Sequence, residues 1–338
     1  MFGATVMFVA VPRISPEKAG TALLNGAGGK GYKFVAVTYQ VEEPVSVGSR
    51  ALPPDQWVKR ADNGPVARAL IITLTVGPLV AMVVAIMQLW QRYVVGKDLA
   101  LLGGMYLAVA MGVTIGYHRY LTHRAFRAPT WLKMLLLILG SMSVEGPALG
   151  WASTHLEHHA RSDREGDPHS PLQGFFHAHL GWIIDGFNSN PSKYGPWLQD
   201  DPVVMFATRT FWLWVILSLA IPFAIDGWRG LIWGGLVRIF LVQHVTWSVN
   251  SVCHVFGKRP FKTGDRSTNN WIVGLLGGGE GWHNNHHAFQ RSAFHGLFWY
   301  QFDLSGVIIR LLELTHIISE VQRVEPALIR KRLGENGS

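Results

Sequence analysis

Two uncharged runs constrain this chain more than any other feature of its sequence. Ala69–Trp90 is 22 residues long and Leu99–Tyr117 is 19, neither with a charged side chain. As helices, each is long enough to cross a hydrocarbon layer of about 30 Å. The connecting residues Gln91–Asp98 suit a tight hairpin. A second pair follows: Phe206–Ile225, interrupted by Arg209, and Gly230–Val252, interrupted by Arg238 and His244. Charges inside such runs must face protein or water. Met134–Val144 is apolar but only eleven residues long, which makes it an interfacial or re-entrant segment and not a span. The pattern predicts an all-α integral membrane protein with four transmembrane helices, at about 69–90, 99–117, 206–225 and 230–252, and a cytoplasmic helical cap.

Composition narrows the partners. With 49% hydrophobic and 15% charged residues the chain is not intrinsically disordered. Its single cysteine, Cys253, excludes an intrachain disulfide and a Cys-rich metal or iron–sulfur site. The net charge of +8 suits either nucleic acid or an anionic membrane face, and the apolar runs decide for membrane lipid. Of the 30 Lys and Arg, eight precede the first span, seven lie in 118–202 and ten in 253–338. The two hairpin loops hold three. Positive charge follows the cytoplasmic side, which places both termini and the central segment there. Residues 1–65 form a cytoplasmic N-terminal segment with a flexible glycine-rich loop at Gly20–Gly31. Residues 66–318 form the main domain and 319–338 a tail, with Arg330–Lys331–Arg332 solvated. Leu304–Ile318 has the spacing of an amphipathic helix.

Eight histidines fall into three boxes: His118 and His123; His155, His158 and His159; His283, His286 and His287. On an α-helix, positions i, i+3 and i+4 share one face, so the second and third boxes each aim three imidazoles the same way. The i, i+5 pair of the first box stands about 140° apart, which suits two ligands serving different metals or a helix that ends between them. With four spans, all three boxes lie on the cytoplasmic face. Eight imidazoles are too many for one ion, so two metals are implied, and an all-nitrogen, cysteine-free set suits iron better than zinc. A transporter places its ligands near the midplane of its spans, whereas these boxes lie outside them. The residues alone thus describe a membrane enzyme with a dinuclear site beside lipid, suited to oxygen activation and attack on an acyl chain. The remaining histidines, 169, 177, 179, 244, 295 and 316, read as structural or surface residues.

The wording of the boxes is more specific. His118-Arg-x-x-x-His123 is followed by His155-x-x-His158-His159, then Ser162-Asp163, Asp167-Pro168-His169, Gly174-Phe175-Phe176 and His179-x-Gly-Trp182. Gly279-Glu280-Gly281-Trp282 then leads into His283-Asn-Asn-His286-His287. Over about Ala69–Leu314 the chain resembles the membrane fatty acyl desaturases of the stearoyl-CoA and bacterial Δ9 type. The resemblance implies a ninth ligand, His254, and Asn250 contacting a metal through water. It implies two iron ions, O2 and a separate electron donor such as ferredoxin, a flavin reductase or a cytochrome b5-like protein. It also implies a cis double bond, at Δ9, made in a saturated acyl chain carried on CoA, carrier protein or lipid. The setting is a bacterial cytoplasmic membrane. A fatty acyl hydroxylase on the same scaffold is the alternative. Where the animal enzymes carry an Arg-Asp pair that helps hold CoA, this chain has Ser153-Thr154. Asp167, Glu280 and Asp163 are candidates to orient the metal-bound imidazoles. Tyr106, twelve residues before His118 on the second span, is a candidate to close the far end of an acyl tunnel.

Overall fold

The computed structural model describes residues 65–91, 93–187 and 189–334. The expected N-terminal segment, with its glycine-rich loop, lies outside the described residues. Within them the longer helices are α1 (Pro65–Trp90), α2 (Gly96–Thr122), α3 (Thr130–Ser141), α4 (Ala148–Arg161), α5 (Pro202–Arg209) and α6 (Phe211–Gly230). They continue with α7 (Arg238–Ser251), α8 (Trp271–Leu276), α9 (His283–Ala288), α10 (Leu304–Leu314) and α11 (Pro326–Gly334). The β pairing among the described residues is limited to isolated bridges.

Three of the described helices are long and apolar enough to cross a membrane: Ala69–Trp90, Gly96–Thr122 and Phe211–His254. The third has 44 residues, roughly 66 Å of helix, about twice what a hydrocarbon core requires. It does not run straight. Asp226 and Gly227 leave helical geometry, Gly227 at φ 55°, and divide it into α6 and a returning leg made of Leu231–Val237 and α7. Beyond the break Gly234 lies against Pro222, and Arg238 Nη2 donates to Ser218 O at 3.1 Å. The buried Arg238 also donates to Met142 O (2.6 Å) and Gly234 O (3.3 Å), so backbone carbonyls take up its charge.

Some expected boundaries move. The run at 206–225 begins at Phe211 instead. Asp201 caps α5 by accepting from Val203 N and Val204 N, and Thr210 ends it, so Arg209 closes a short preceding helix. The helix expected to end at Tyr117 continues to Thr122 and carries the first box within it. Residues 130–141 form one short apolar helix, too short for a span. The turns joining the long helices meet at one end. Lys97 Nζ reaches Asp226 Oδ1 (2.6 Å) and Ile225 O (3.2 Å), and Arg229 pairs with the buried Asp98 and donates to Tyr93 O (2.9 Å). His118 lies in the last turns of α2 and His254 in the turn that follows α7, both at the other end of these helices.

α3 packs tightly on the last turns of α2. Tyr117 Oη and Ser141 Oγ are 2.9 Å apart, and a Cβ on Gly116 would stand 2.8 Å from Leu136 O and 3.0 Å from Leu136 Cβ. Gly116→Ala is therefore expected to destabilise the protein by about 1–3 kcal/mol through overpacking against backbone, read as a lower thermal midpoint in detergent. An unchanged midpoint would mean that α3 yields freely.

Residues 319–333, expected as a tail, pack back on the chain, and of the basic residues expected to be solvated only Arg332 departs. Arg127 N donates to Ser319 O (2.7 Å) and Ser319 N to Arg127 O (3.0 Å). Ile329 and Leu333 of α11 pack with Phe261 and Phe289. Arg332 donates to Ala288 O and lies over the Phe289 ring, whereas Arg330 and Lys331 are exposed. The amphipathic helix ends at Leu314, capped by Asp303 at its start and closed by Thr315.

Candidate metal centre

The three boxes converge into two groups of imidazoles. His118, His123, His155, His159 and His286 form the first; His158, His254, His283 and His287 form the second. Within each group the ligand atoms lie within 4.8 Å of one another. In the first group, Nε2 of His286 is 3.1 Å from Nε2 of His118 and 2.9 Å from Nε2 of His159. Nε2 of His155 is 2.9 Å from Nε2 of His159 and 3.1 Å from Nε2 of His123. In the second, Nε2 of His254 and His283 are 3.0 Å apart.

Local backbone explains the grouping. Gly112–Thr122 is π-helical, and His123 N donates to His118 O, five residues back, at 3.1 Å. An i→i+5 helix brings the two imidazoles of the first box to one face, where an ideal α-helix would separate them. The other two boxes do not aim all three imidazoles alike. The i, i+4 pair of α4, His155 and His159, enters the first group and His158 the second. On α9 the i, i+4 pair, His283 and His287, enters the second group and His286 the first. At 100° per residue the i+3 side chain diverges from its two neighbours, which lets one helix serve two adjacent centres.

Carboxylates orient the rings from behind. His118 Nδ1 meets Glu280 Oε2 in a short contact. His158 Nδ1 is 2.9 Å from Asp167 Oδ1, His254 Nδ1 is 2.9 Å from Asp163 Oδ2, and His287 Nδ1 is 2.7 Å from Asp265 Oδ2. A ring that donates from Nδ1 presents a bare lone pair at Nε2. Burial, reinforced by neighbouring imidazoles, pushes the pKa of His123, His155, His159, His283 and His286 well below the usual histidine range, so these rings are neutral. The same burial raises the pKa of the Asp167 carboxyl above its usual range. For Asp265 burial acts upward, but the hydrogen bond and charge of His287 outweigh it and hold the carboxyl below its usual range.

This arrangement fits metal. Neutral rings whose lone pairs converge at about 3 Å repel one another, and a cation at the centre of each group reverses that. Several buried ring nitrogens, including His158 Nε2, His283 Nδ1 and His287 Nε2, have no hydrogen-bond partner among the described residues.

Several further residues at the site escaped sequence reasoning. Asp265 lies in an irregular loop, and its 22-residue separation from His287 leaves no periodic signal. Arg119, fully buried, donates to Glu280 Oε1 (3.2 Å) and to Asp303 Oδ1 (2.9 Å) and Oδ2 (3.1 Å). His295, read as structural or surface, is buried with its ring 4.6 Å from that of His286, and His169 is buried 4.3 Å from His158.

An apolar slot of about 50 Å³, lined by Tyr106, Val113, Val242 and Val249, reaches His118 and His155. Tyr106 Oη donates to Leu276 O at 2.8 Å. A larger cavity of about 300 Å³ shares Trp151, His155, Thr246 and Asn250 with the slot and includes Glu145, Thr154 and Trp182.

Apolar helices fit for a membrane and two imidazole groups fit for metal define a membrane-associated, histidine-rich metalloenzyme. The family model "Fatty acid desaturase" matches residues 99–303. The chain is 36% identical over 274 residues to an sn-1 stearoyl-lipid 9-desaturase of Synechocystis, covering 80% of this chain and 84% of that one. It is 41% identical over 231 residues to an acyl-CoA C20 Delta5-desaturase of Anemone leveillei (65% and 72%). It is 40% identical over 225 residues to a chloroplastic palmitoyl-monogalactosyldiacylglycerol delta-7 desaturase of Arabidopsis thaliana, of which it covers 60%, with 65% of this chain aligned. The chain belongs to the fatty acid desaturase family and is an oxidoreductase of fatty acyl chains. The metal of that family is iron, which the imidazole groups suit.

Proposed function

We propose that this enzyme introduces a cis double bond at Δ9 into a saturated, lipid-linked acyl chain, using O2, two iron ions and electrons from a separate carrier protein. The observation that carries the reading is the apolar slot that ends against His118 and His155. His118, His123, His155, His159 and His286 would hold one ion. His158, His254, His283 and His287 would hold the other, with Asn250 on the shared cavity wall placed to act through water. When bound, the irons supply the oxidant that unactivated methylenes require. The protein's part is placement. Val113, Val242 and Val249 exclude water and hold an extended chain, while Glu280, Asp163, Asp167 and Asp265 fix the imidazoles from behind.

Two observations support a lipid-linked substrate over acyl-CoA. Ser153 turns inward and donates to Leu149 O (2.7 Å), and Thr154 lines the larger cavity, so neither offers a charge to a CoA phosphate. The Synechocystis relative is named for a stearoyl lipid. The break at Asp226–Gly227 supports four membrane passes, with the imidazoles at the end opposite the two joined turns. The excess of Lys and Arg outside those turns supports a cytoplasmic location for that end and for both termini, in a bacterial cytoplasmic membrane.

Expression in a desaturase-deficient host, with double bonds mapped by mass spectrometry, tests the proposal. A cis Δ9 monoene on lipid-linked chains is expected. Hydroxylated chains would move the reading to a hydroxylase, and a monoene confined to the acyl-CoA pool would overturn the lipid assignment. Tyr106→Ala is expected to lengthen the preferred chain by about two carbons by opening the slot's far end, at roughly 0.8 kcal/mol per buried methylene. An unchanged chain-length profile would exclude Tyr106 as the stop.

A further inference from the structure

Two arginines stand beside the metal centre without the partners their neighbours have. Arg124 follows His123 directly and Arg291 lies four residues beyond His287. Gln322 draws the two segments together: its N–H donates to Ala125 O (2.7 Å) and its carbonyl accepts from Ala293 N (2.9 Å). Both side chains are exposed. Arg127 and Arg323, along the same strip of chain, are each paired with a carboxylate, Glu320 and Glu313. Among the described residues Arg124 and Arg291 have no ion pair.

The like-charge pair is held in place at a cost. Arg124 adopts φ 51°, a left-handed conformation unusual for a residue with a side chain. Such a residue persists where the surroundings fix it. Here the Trp197 ring fixes it from below, with the guanidinium carbon 4.4 Å from the ring centroid. A strained, ring-supported cation beside a second cation, one residue from an imidazole of the first group, calls for an anion from outside the chain.

We infer that Arg124 and Arg291 form the docking site for a small acidic electron-carrier protein. The inference rests on the reading of the chain as a desaturase fed by a separate donor. The reaction proposed above draws its electrons from a separate carrier, which must reach the surface nearest the imidazole groups. The arginines mark where the surface comes within one residue of His123. Each docked carrier is oxidised by one electron. Two such visits, with two hydrogens from the acyl chain and two protons from water, reduce one O2 to two waters and leave one double bond. The opposed charges raise the rate of encounter and set its orientation more than they add affinity.

The test uses the full-length enzyme in nanodiscs with stearoyl lipid, reduced by a plant-type [2Fe–2S] ferredoxin and its NADPH reductase or, separately, by dithionite. Arg124→Glu/Arg291→Glu is expected to raise KM for ferredoxin at least ten-fold. Bound iron and dithionite-driven turnover should stay within two-fold of wild type. The salt dependence of the ferredoxin-driven rate should flatten, because screened attraction is what it reports. Arg124→Lys/Arg291→Lys should restore most of the ferredoxin KM. An unchanged ferredoxin KM overturns the inference. So does an equal fall in dithionite-driven turnover, which assigns the pair a structural role. A rise in KM for the acyl substrate alone assigns the arginines to its head group and also overturns it. Wild-type enzyme that makes no unsaturated product with either reductant would defeat the underlying desaturase reading instead.

Discussion

His286→Ala is expected to abolish unsaturated product, by more than about 100-fold, and to lower the iron bound per chain. His286 Nε2 stands 3.1 Å from one imidazole nitrogen of the first group and 2.9 Å from another, so the substitution removes the middle of that group. Outer partners of a metal ligand alone cost about 10–100-fold in affinity or activity, and a ligand costs more. Iron by plasma mass spectrometry and fatty acids by gas chromatography read the two effects on one preparation. His286→Asn, closer in shape and polarity, should keep the elution volume of wild type while still losing iron. Full iron and full product in both variants would remove His286 from the metal centre.

Arg119→Leu has the largest expected effect on stability. Arg119 is fully buried between Glu280 and Asp303, with a further bond to Ala293 O at 2.9 Å. Removing one partner of a buried ion pair costs about 3–5 kcal/mol, because the remaining charges are left without compensation. Here two carboxylates are stranded. Glu280 is the partner of His118, and Asp303 accepts from His295 N (2.8 Å), Gly296 N (3.2 Å) and Gly306 N (2.9 Å), which ties α10 to the site. The thermal midpoint should fall by at least about 6 °C. Adding Asp303→Asn should recover part of the loss by deleting one stranded charge. A midpoint within 1 °C of wild type would mean that water reaches the cluster and screens it, about as at a protein surface.

What was legible in the sequence follows from the range of each interaction. The second and third boxes could be placed on single helices because i, i+3 and i+4 are properties of one helix, but the expectation that all three imidazoles aim alike failed, because the i+3 ring of each turns to the other group. The first box could not be resolved, because its meaning depends on the i→i+5 hydrogen bonding of Gly112–Thr122. Segment 134–144 was legible by length alone. The start of the third long helix was not, since hydropathy does not register the break at Thr210. Asp265, Arg119 and Asp303 act across 22 to 184 residues, through contacts that no local pattern encodes. Residues 319–338 read as a tail because their apolar side chains are few. Their docking instead uses backbone pairing with 125–127 and a few contacts from Val324, Ile329 and Leu333.

The division of α4 and α9 between the two imidazole groups has a consequence for assembly. Each helix gives two ligands to one group and one to the other, in opposite senses. With two ions held as proposed, ordering either helix around one would pre-position rings for the other, so the entropy of fixing them is spent once. Loading should then be cooperative. At limiting iron the population divides between empty and fully charged chains, with few half-filled ones, and a cell short of the metal would keep fewer working enzymes in place of many impaired ones.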